Sequence, residues 1–140
     1  MYRVLVPVDA DEDRALTQAK YVASLPAASE EVEAIVLFVF HGEGRDLPAE
    51  LERFDSATRI GSVRTVRKHL QDHGITVSVV EDSGDTARDI LREAEQYGVD
   101  AIVLGGRKRS PVGKAIFGSV TQSVILDTDR PVVVTGRPHD

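Results

Sequence analysis

A glycine-rich, basic segment at residues 105–119 carries the clearest chemical signal in this 140-residue chain. It begins at Gly105, contains four cations within eight residues, and ends with Gly118 and Ser119. An apolar run before it predicts a buried strand, and the pattern after it predicts a helix. Glycines let a backbone approach a ligand closely, and the N–H groups at a helix start carry partial positive charge. The segment therefore predicts a phosphate site, with a solvated surface loop as the alternative.

The cations of this segment could serve either role. They are Arg107, Lys108, Arg109 and Lys114, in a chain whose net charge is −6. A polyphosphate would attract such a cluster, whereas a solvated loop would only expose it. Gly113 and Lys114 resemble the end of a Walker A loop, but Lys108 takes the place of its first glycine and Ala115 replaces its Ser or Thr. The segment is therefore not a P-loop.

Strand and helix patterns alternate along the whole chain. Nearly continuous apolar runs predict strands at 3–8, 32–40, 99–104 and 131–135, and alternating apolar and polar residues predict one at 75–80. Helical spacing predicts helices at 11–25, 48–72, 85–97 and 119–126. Gly98 is the predicted C-cap of the third helix, and Ser119-x-x-Gln122 is a predicted capping box at the start of the fourth.

This alternation predicts an α/β fold, a single doubly wound open parallel five-stranded sheet (order 3-2-1-4-5) with helices on both faces. No repeat, low-complexity tract or linker divides the chain, so we expect one domain over residues 1–140. In such a sheet the ligand crevice lies beyond the carboxyl ends of the strands, where the winding reverses. Pro7, Val8 and Asp9 follow the first strand, and the glycine-rich segment follows the fourth. Both should therefore border one crevice.

Composition excludes several classes of protein. The chain has no cysteine, and no run approaches the roughly 18 apolar residues that span a bilayer. The N-terminus predicts a strand rather than a signal peptide, and the acidic balance disfavours nucleic-acid binding. His69 and His73 are four residues apart on one helix, but the sequence supplies no third ligand near them, so no metal site is predicted. We expect a cytoplasmic protein that uses neither membrane nor nucleic acid.

The chain resembles a universal stress protein. The resemblance rests on Pro7-x-Asp9 after the first strand, on Gly105 followed thirteen residues later by Gly118-Ser119, and on a β-rich C-terminus. Members of this family share a Rossmann-like α/β fold, and the ATP-binding subclass carries Gly-x-x-Gly, nine residues, then Gly-Ser or Gly-Thr. The resemblance implies a stress-response sensor or regulator that binds ATP or a related adenine nucleotide, with or without Mg²⁺.

The resemblance also implies which residues form the nucleotide site. By position they are Pro7, Val8, Asp9, Phe40, Gly105, Lys108, Gly118, Ser119 and Val120. Asp9 would face a ribose or a phosphate-bound Mg²⁺, and its alternative role is to stabilise the start of the first helix. Phe40 would lie beside the adenine, and its alternative is a place partly in the core. Ser119 can donate to a phosphate while its oxygen caps the last helix.

Lys108 departs from the family motif, which has its second glycine there. Lysine resists the positive φ that glycine allows, but its ammonium could bind a phosphate, and Gly106 could take up the turn. Two functions therefore stay open: a nucleotide-binding protein and a dimeric interaction module that binds no nucleotide. The sequence shows no catalytic constellation, so any ATPase activity would be slow. Residues 131–135, at the predicted sheet edge, are the expected homodimer contact.

Overall fold

A computed structural model of the chain describes residues 1–41, 57–106 and 118–136. Its strands are β1 (Tyr2–Val8), β2 (Val32–His41), β3 (Thr76–Gly84), β4 (Ala101–Gly105) and β5 (Val132–Thr135). Its α-helices are α1 (Glu12–Ala23), α2 (Ala28–Glu31), α3 (Gly61–Asp72), α4 (Thr86–Tyr97) and α5 (Ser119–Asp127), and a 3-10 turn spans Ala57–Arg59. Strands and helices alternate, as the sequence predicts for an α/β fold.

The sheet has the predicted topology. All neighbouring strands pair in parallel, in the order β3-β2-β1-β4-β5. Apart from the polar end of β3, most strand residues are apolar because helices cover each face of the sheet. Successive residues of β1 illustrate this, since Val4 and Val6 pack under α1 and α3 whereas Leu5 packs under α4 and α5. The doubly wound fold with helices on both faces is confirmed.

Capping residues fix the starts of α1 and α4 and the end of α4. Asp11 caps α1 by accepting from the Arg14 N–H at 2.9 Å, and Asp85 caps α4 by accepting from the Arg88 N–H at 3.1 Å. Gly98 ends α4 in the left-handed region, with φ of 59°, which a residue with a Cβ rarely adopts. The predicted C-cap is therefore confirmed.

The predicted helix over residues 48–72 is wrong in its bounds. Residues 48–56 lie outside the described part of the chain, and Ile60 is extended, with φ of −80° and ψ of 131°. The helix begins only at Gly61, because the 3-10 turn and the extended Ile60 interrupt the helical hydrogen bonds that the apolar spacing suggested. The third strand is also longer than predicted: its polar end pairs with β2 as far as His41 opposite Gly84.

The predicted capping box at Ser119 is wrong as well. Gly118 is the N-cap of α5, and Ser119 is already the first helical residue. The backbone N–H of Gln122 accordingly donates to the carbonyl of Gly118 at 3.0 Å. The Ser119 side chain therefore lies one position too late to cap the helix.

Candidate functional site

The central strands β1 and β4 separate towards their carboxyl ends. They pair only at Val4 with Ala101 and at Leu5 with Ile102, although both strands continue beyond those residues. Buried Gln18, on α1, fills the resulting gap: its side-chain amide donates to the carbonyl of Pro7 at 2.7 Å and to that of Val103 at 3.0 Å. The strands therefore open a crevice at the predicted switch point, and Gln18 donates hydrogen bonds to two of its backbone carbonyls.

A cavity of about 360 Å³ lies above this gap. Its volume is within the range of small-molecule sites. Its apolar lining residues come from β2, α4 and β4, among them Leu37, Val39, Ile90 and Leu104. The loop after β1 and the start of α5 also line it. The cavity thus offers an apolar slot beside a polar end.

Six of the nine predicted site residues line this cavity. They are Pro7, Val8, Asp9, Gly105, Gly118 and Val120. Lys108 lies outside the described residues, as do Arg107, Arg109 and Lys114. Ser119 is exposed at the helix start and is not among the lining residues.

Phe40 is not a lining residue either. It is buried, and its ring meets the ring of Phe38 edge to face, with centroids 4.9 Å apart. Phe38 and Val39, which precede it on β2, line the cavity in its place. In this structure Phe40 therefore takes the core position that the sequence left as its alternative.

Asp9 is held by local contacts at the mouth of the cavity. One carboxylate oxygen accepts from the Asp11 N–H at 2.9 Å, and the other pairs with the guanidinium of Arg14. Buried Ser62, in the first turn of α3, donates to the carbonyl oxygen of Asp9. These contacts hold the Asp9 side chain in place and pair its charge with that of Arg14.

Gly105, the last residue of β4, and Gly106, which follows it, lie too close to other protein atoms to carry a side chain. A Cβ on Gly105 would lie 2.5 Å from Cγ of Arg14, and a Cβ on Gly106 would lie 2.1 Å from the carbonyl oxygen of Thr135. Neither contact is possible, so Gly105 makes room for the Arg14 stem and Gly106 for the end of β5. The first motif glycine therefore has a packing role within the described residues.

The start of α5 differs from the starts of α1 and α4. Asp11 and Asp85 cap those helices with side-chain oxygens, whereas α5, like α3, has no side-chain cap among the described residues. The first N–H groups of a helix have no intrahelical acceptor. Gly118, Val120 and Thr121 line the cavity, so this uncapped helix start borders it. It is a suitable partner for a negatively charged oxygen.

Arg14 and Gln18 are site residues that the sequence analysis missed, together with Thr86 and Ile90 of α4. The sequence did hold a signal for both residues of α1. Gln18 interrupts the apolar stripe of the helix, which is typical of a buried hydrogen-bonding side chain. Arg14 is a cation in the first turn, where acids are favoured.

A second charged cluster joins α4 to β3. Arg92 pairs with Asp89 at 2.8 Å and with Asp82 at 3.1 Å, and the carboxyl of Glu93 lies beside them. Burial, a hydrogen bond with Asp82 and the charge of that carboxylate raise the pKa of Glu93 to about 7. Oδ2 of Asp82 and Oδ2 of Asp89 are buried and have no hydrogen-bond partner among the described residues. The cluster therefore holds three carboxyl groups against one guanidinium.

Two further properties concern only the described ranges, 1–41, 57–106 and 118–136. In them no group of three or more His, Cys, Asp or Glu side chains is placed to hold a metal ion. No helix there is long and apolar enough to cross a membrane.

Residues 1–136 match the universal stress protein family. The chain belongs to this family. A curated universal stress protein of Mycolicibacterium smegmatis is 35% identical over 82 residues, which cover 58% of this chain and 62% of that relative. The chain therefore aligns with less than two thirds of that relative's length.

Solved structures of universal stress proteins have the same fold. One from Archaeoglobus fulgidus superimposes with a TM-score of 0.74 at 31% identity, covering 96% of this chain and 98% of its own. A structure of the universal stress protein from the same organism in complex with dAMP gives a TM-score of 0.70 at 25% identity, with coverage of 96% and 98%. The fold and the family of the present chain therefore agree with the resemblance to universal stress proteins that its sequence motifs show.

Proposed function

We propose that this universal stress protein binds ATP or a related adenine nucleotide in the cavity between β1 and β4. We further propose that it acts in the cytoplasm as a sensor or regulator of a stress response. The observation that carries the proposal is the uncapped start of α5 at Gly118, which borders a cavity of about 360 Å³. Phosphate oxygens would accept from the first backbone N–H groups of this helix.

The apolar lining supports the nucleoside part of the proposal. Leu37, Val39 and Ile90 provide an apolar surface suited to a purine ring, and the polar residue Asp9 lines the same cavity. Cofactor sites commonly combine such an apolar slot with a few placed polar groups. A related protein from Archaeoglobus fulgidus was solved in complex with dAMP, which shares the adenine, the sugar ring and a phosphate.

Within the described residues the cavity has one carboxylate, that of Asp9, and Arg14 pairs with it. No second acid or base of the lining is arranged to activate a water. We therefore propose binding as the main activity, with ATP hydrolysis slow at best.

The test is to identify what the purified protein carries. Acid release of bound small molecules, followed by chromatography, should yield an adenine nucleotide in a stoichiometric fraction of the protein. The control is the small-molecule fraction released in the same way from an unrelated acidic protein that was purified identically. Protein that carries none and then binds no added ATP would contradict the proposal.

A dimeric interaction module is the second candidate function. Ile125 and Leu126 of α5 leave 40% and 74% of their surface exposed, and β5 is the outer strand of the sheet on that side in the described part of the chain. Exposed apolar side chains beside an unpaired strand edge favour a protein partner, of which a second copy is the simplest. This candidate requires no nucleotide, and the two functions are compatible.

A further inference from the structure

Arg14 and Asp9 are the two charged residues among the described residues that line the cavity. The basic side chains predicted from the glycine-rich segment lie outside those residues. The charge that a ligand meets at the described part of the mouth therefore depends on how Arg14 and Asp9 are arranged.

Arg14 is fixed on three sides. Its Nη1 pairs with Asp9, its Nε donates to the carbonyl of Gly106 at 3.1 Å, and its Nη2 lies 3.7 Å from Asp11. Its stem crosses Gly105, where a Cβ would overlap it. Its side chain is 20% exposed, against 52% for that of Asp9. The guanidinium is thus the more buried partner and is held against the start of the segment after β4.

Without Arg14, this mouth would repel a phosphate. Asp9 would present a carboxylate to the cavity, and no other cation among the described lining residues would face it. Like charges at close range disfavour binding strongly when the site is partly shielded from water. A neutral nucleoside would be affected far less.

We propose that Arg14 makes the cavity select a phosphate-bearing ligand over its neutral nucleoside by cancelling the charge of Asp9. Arg14 is a positioning and specificity residue in this account, and the account rests on the proposed adenine-nucleotide function. Gly105 contributes to this arrangement, because its lack of a side chain lets the Arg14 stem reach Asp9.

The experiment compares ATP and adenosine binding by calorimetric titration of the parent and of Arg14→Met. Methionine keeps an unbranched stem beside Gly105 but removes the charge. We expect ATP affinity to fall about tenfold or more and adenosine affinity to change less than about twofold. Arg14→Lys, which keeps a cation, should retain most of the preference for ATP.

Arg88→Met is the matched control. Arg88 is also the third residue of its helix, and its N–H also donates to a capping aspartate, but it does not line the cavity. It should leave both affinities unchanged. A second Asp9→Asn substitution in the Arg14→Met background removes the uncancelled carboxylate and should restore most of the ATP affinity.

The outcomes separate the inference from the proposed function. Equal losses of ATP and adenosine in Arg14→Met, or no recovery in the double variant, would overturn the inference while nucleotide binding by the parent stands. A parent that binds neither ATP nor adenosine would overturn the proposed function, and this inference with it.

Discussion

Gly106 shows how strongly a single position can be constrained by backbone rather than by a ligand. A Cβ there would lie 2.1 Å from the carbonyl oxygen of Thr135, and backbone cannot move aside as a flexible side chain can. We expect Gly106→Ala to lower the free energy of unfolding by about 1–3 kcal/mol, since overpacking forces the end of β5 to shift. Denaturant titration followed by circular dichroism measures this loss.

Gly136→Ala is the control for that prediction. Gly136 directly follows the contacted residue, Thr135, and a Cβ on it would meet nothing within 4 Å. Its unfolding free energy should stay within about 0.5 kcal/mol of the parent value. Equal stabilities of the two variants would show that the end of β5 accommodates the methyl group.

The glycines of this segment have protein neighbours that their spacing did not predict. The glycine pattern predicted close approach to a phosphate, whereas the structure gives Gly105 and Gly106 protein neighbours that exclude a Cβ. A motif shows that a side chain is absent but cannot show which atoms take its space. Arg14 was missed because its role depends on Asp9 and Gly106, which meet it only through the fold.

At the scale of elements, α4 and β3 share a proton-dependent contact. Burial and the neighbouring Asp82 raise the pKa of Glu93 from its ordinary value of 4.5 to about 7. Asp82 faces it from β3, and Asp89 and Arg92 face it from α4. The folded protein therefore retains a proton between these two values that the unfolded chain releases.

The sign of the pH dependence follows from that proton. The folded state binds more protons than the unfolded state between pH 4.5 and about 7, so stability falls as the pH rises through this window. Between about pH 5 and 8 the free energy of unfolding should fall less for Glu93→Gln, which stays neutral, than for the parent. We expect the difference between the two losses to be about 1–3 kcal/mol. Chemical unfolding at several pH values measures the difference.

Glu95→Gln is the matched control on the same helix, because Glu95 is exposed. It should follow the pH profile of the parent. Superimposable profiles for Glu93→Gln and the parent would contradict the assigned role of Glu93.

The elements differ in how far the sequence could predict them. The strands were predictable because both faces of the sheet are covered, which leaves continuous apolar runs such as that of β1. The start of α3 was not, because the extended Ile60 interrupts an apolar spacing that would suit an unbroken helix. The polar end of β3 was missed because it is held by backbone pairing to β2 rather than by apolar burial.

At the scale of the whole molecule, we expect a homodimer that uses β5 and the adjacent face of α5. Light scattering at tens of micromolar should give about twice the chain mass of 15.3 kDa. Leu126→Arg should shift the protein towards monomer, because a charge would be buried where an exposed leucine now lies.

Tyr2→Arg is the control for the dimer, since Tyr2 is also an exposed large hydrophobic residue but belongs to β1. It should leave the mass unchanged. A parent of monomeric mass would contradict the predicted dimer and would remove the main support for the interaction-module candidate.

The topology was predictable as a whole because alternating strands and helices leave few ways to bury both faces of a parallel sheet. The strand order then placed Asp9 and Gly118 at one cavity although they are far apart in sequence. The order did not predict that the buried amide of Gln18 would donate to the carbonyls of Pro7 and Val103 where β1 and β4 separate. The site is therefore a property of the whole fold as much as of its motif.

The most direct test of nucleotide binding is calorimetric titration of Mg-ATP into the parent and into Gly118→Val. Gly118 has φ of −64° and ψ of 164°, an extended conformation that valine adopts, so the melting curve should change little. The added branched side chain would lie at the uncapped start of α5, where it blocks close approach of a phosphate. We predict saturable binding by the parent and none by the variant, whereas equal affinities in the two proteins would contradict the site proposed here.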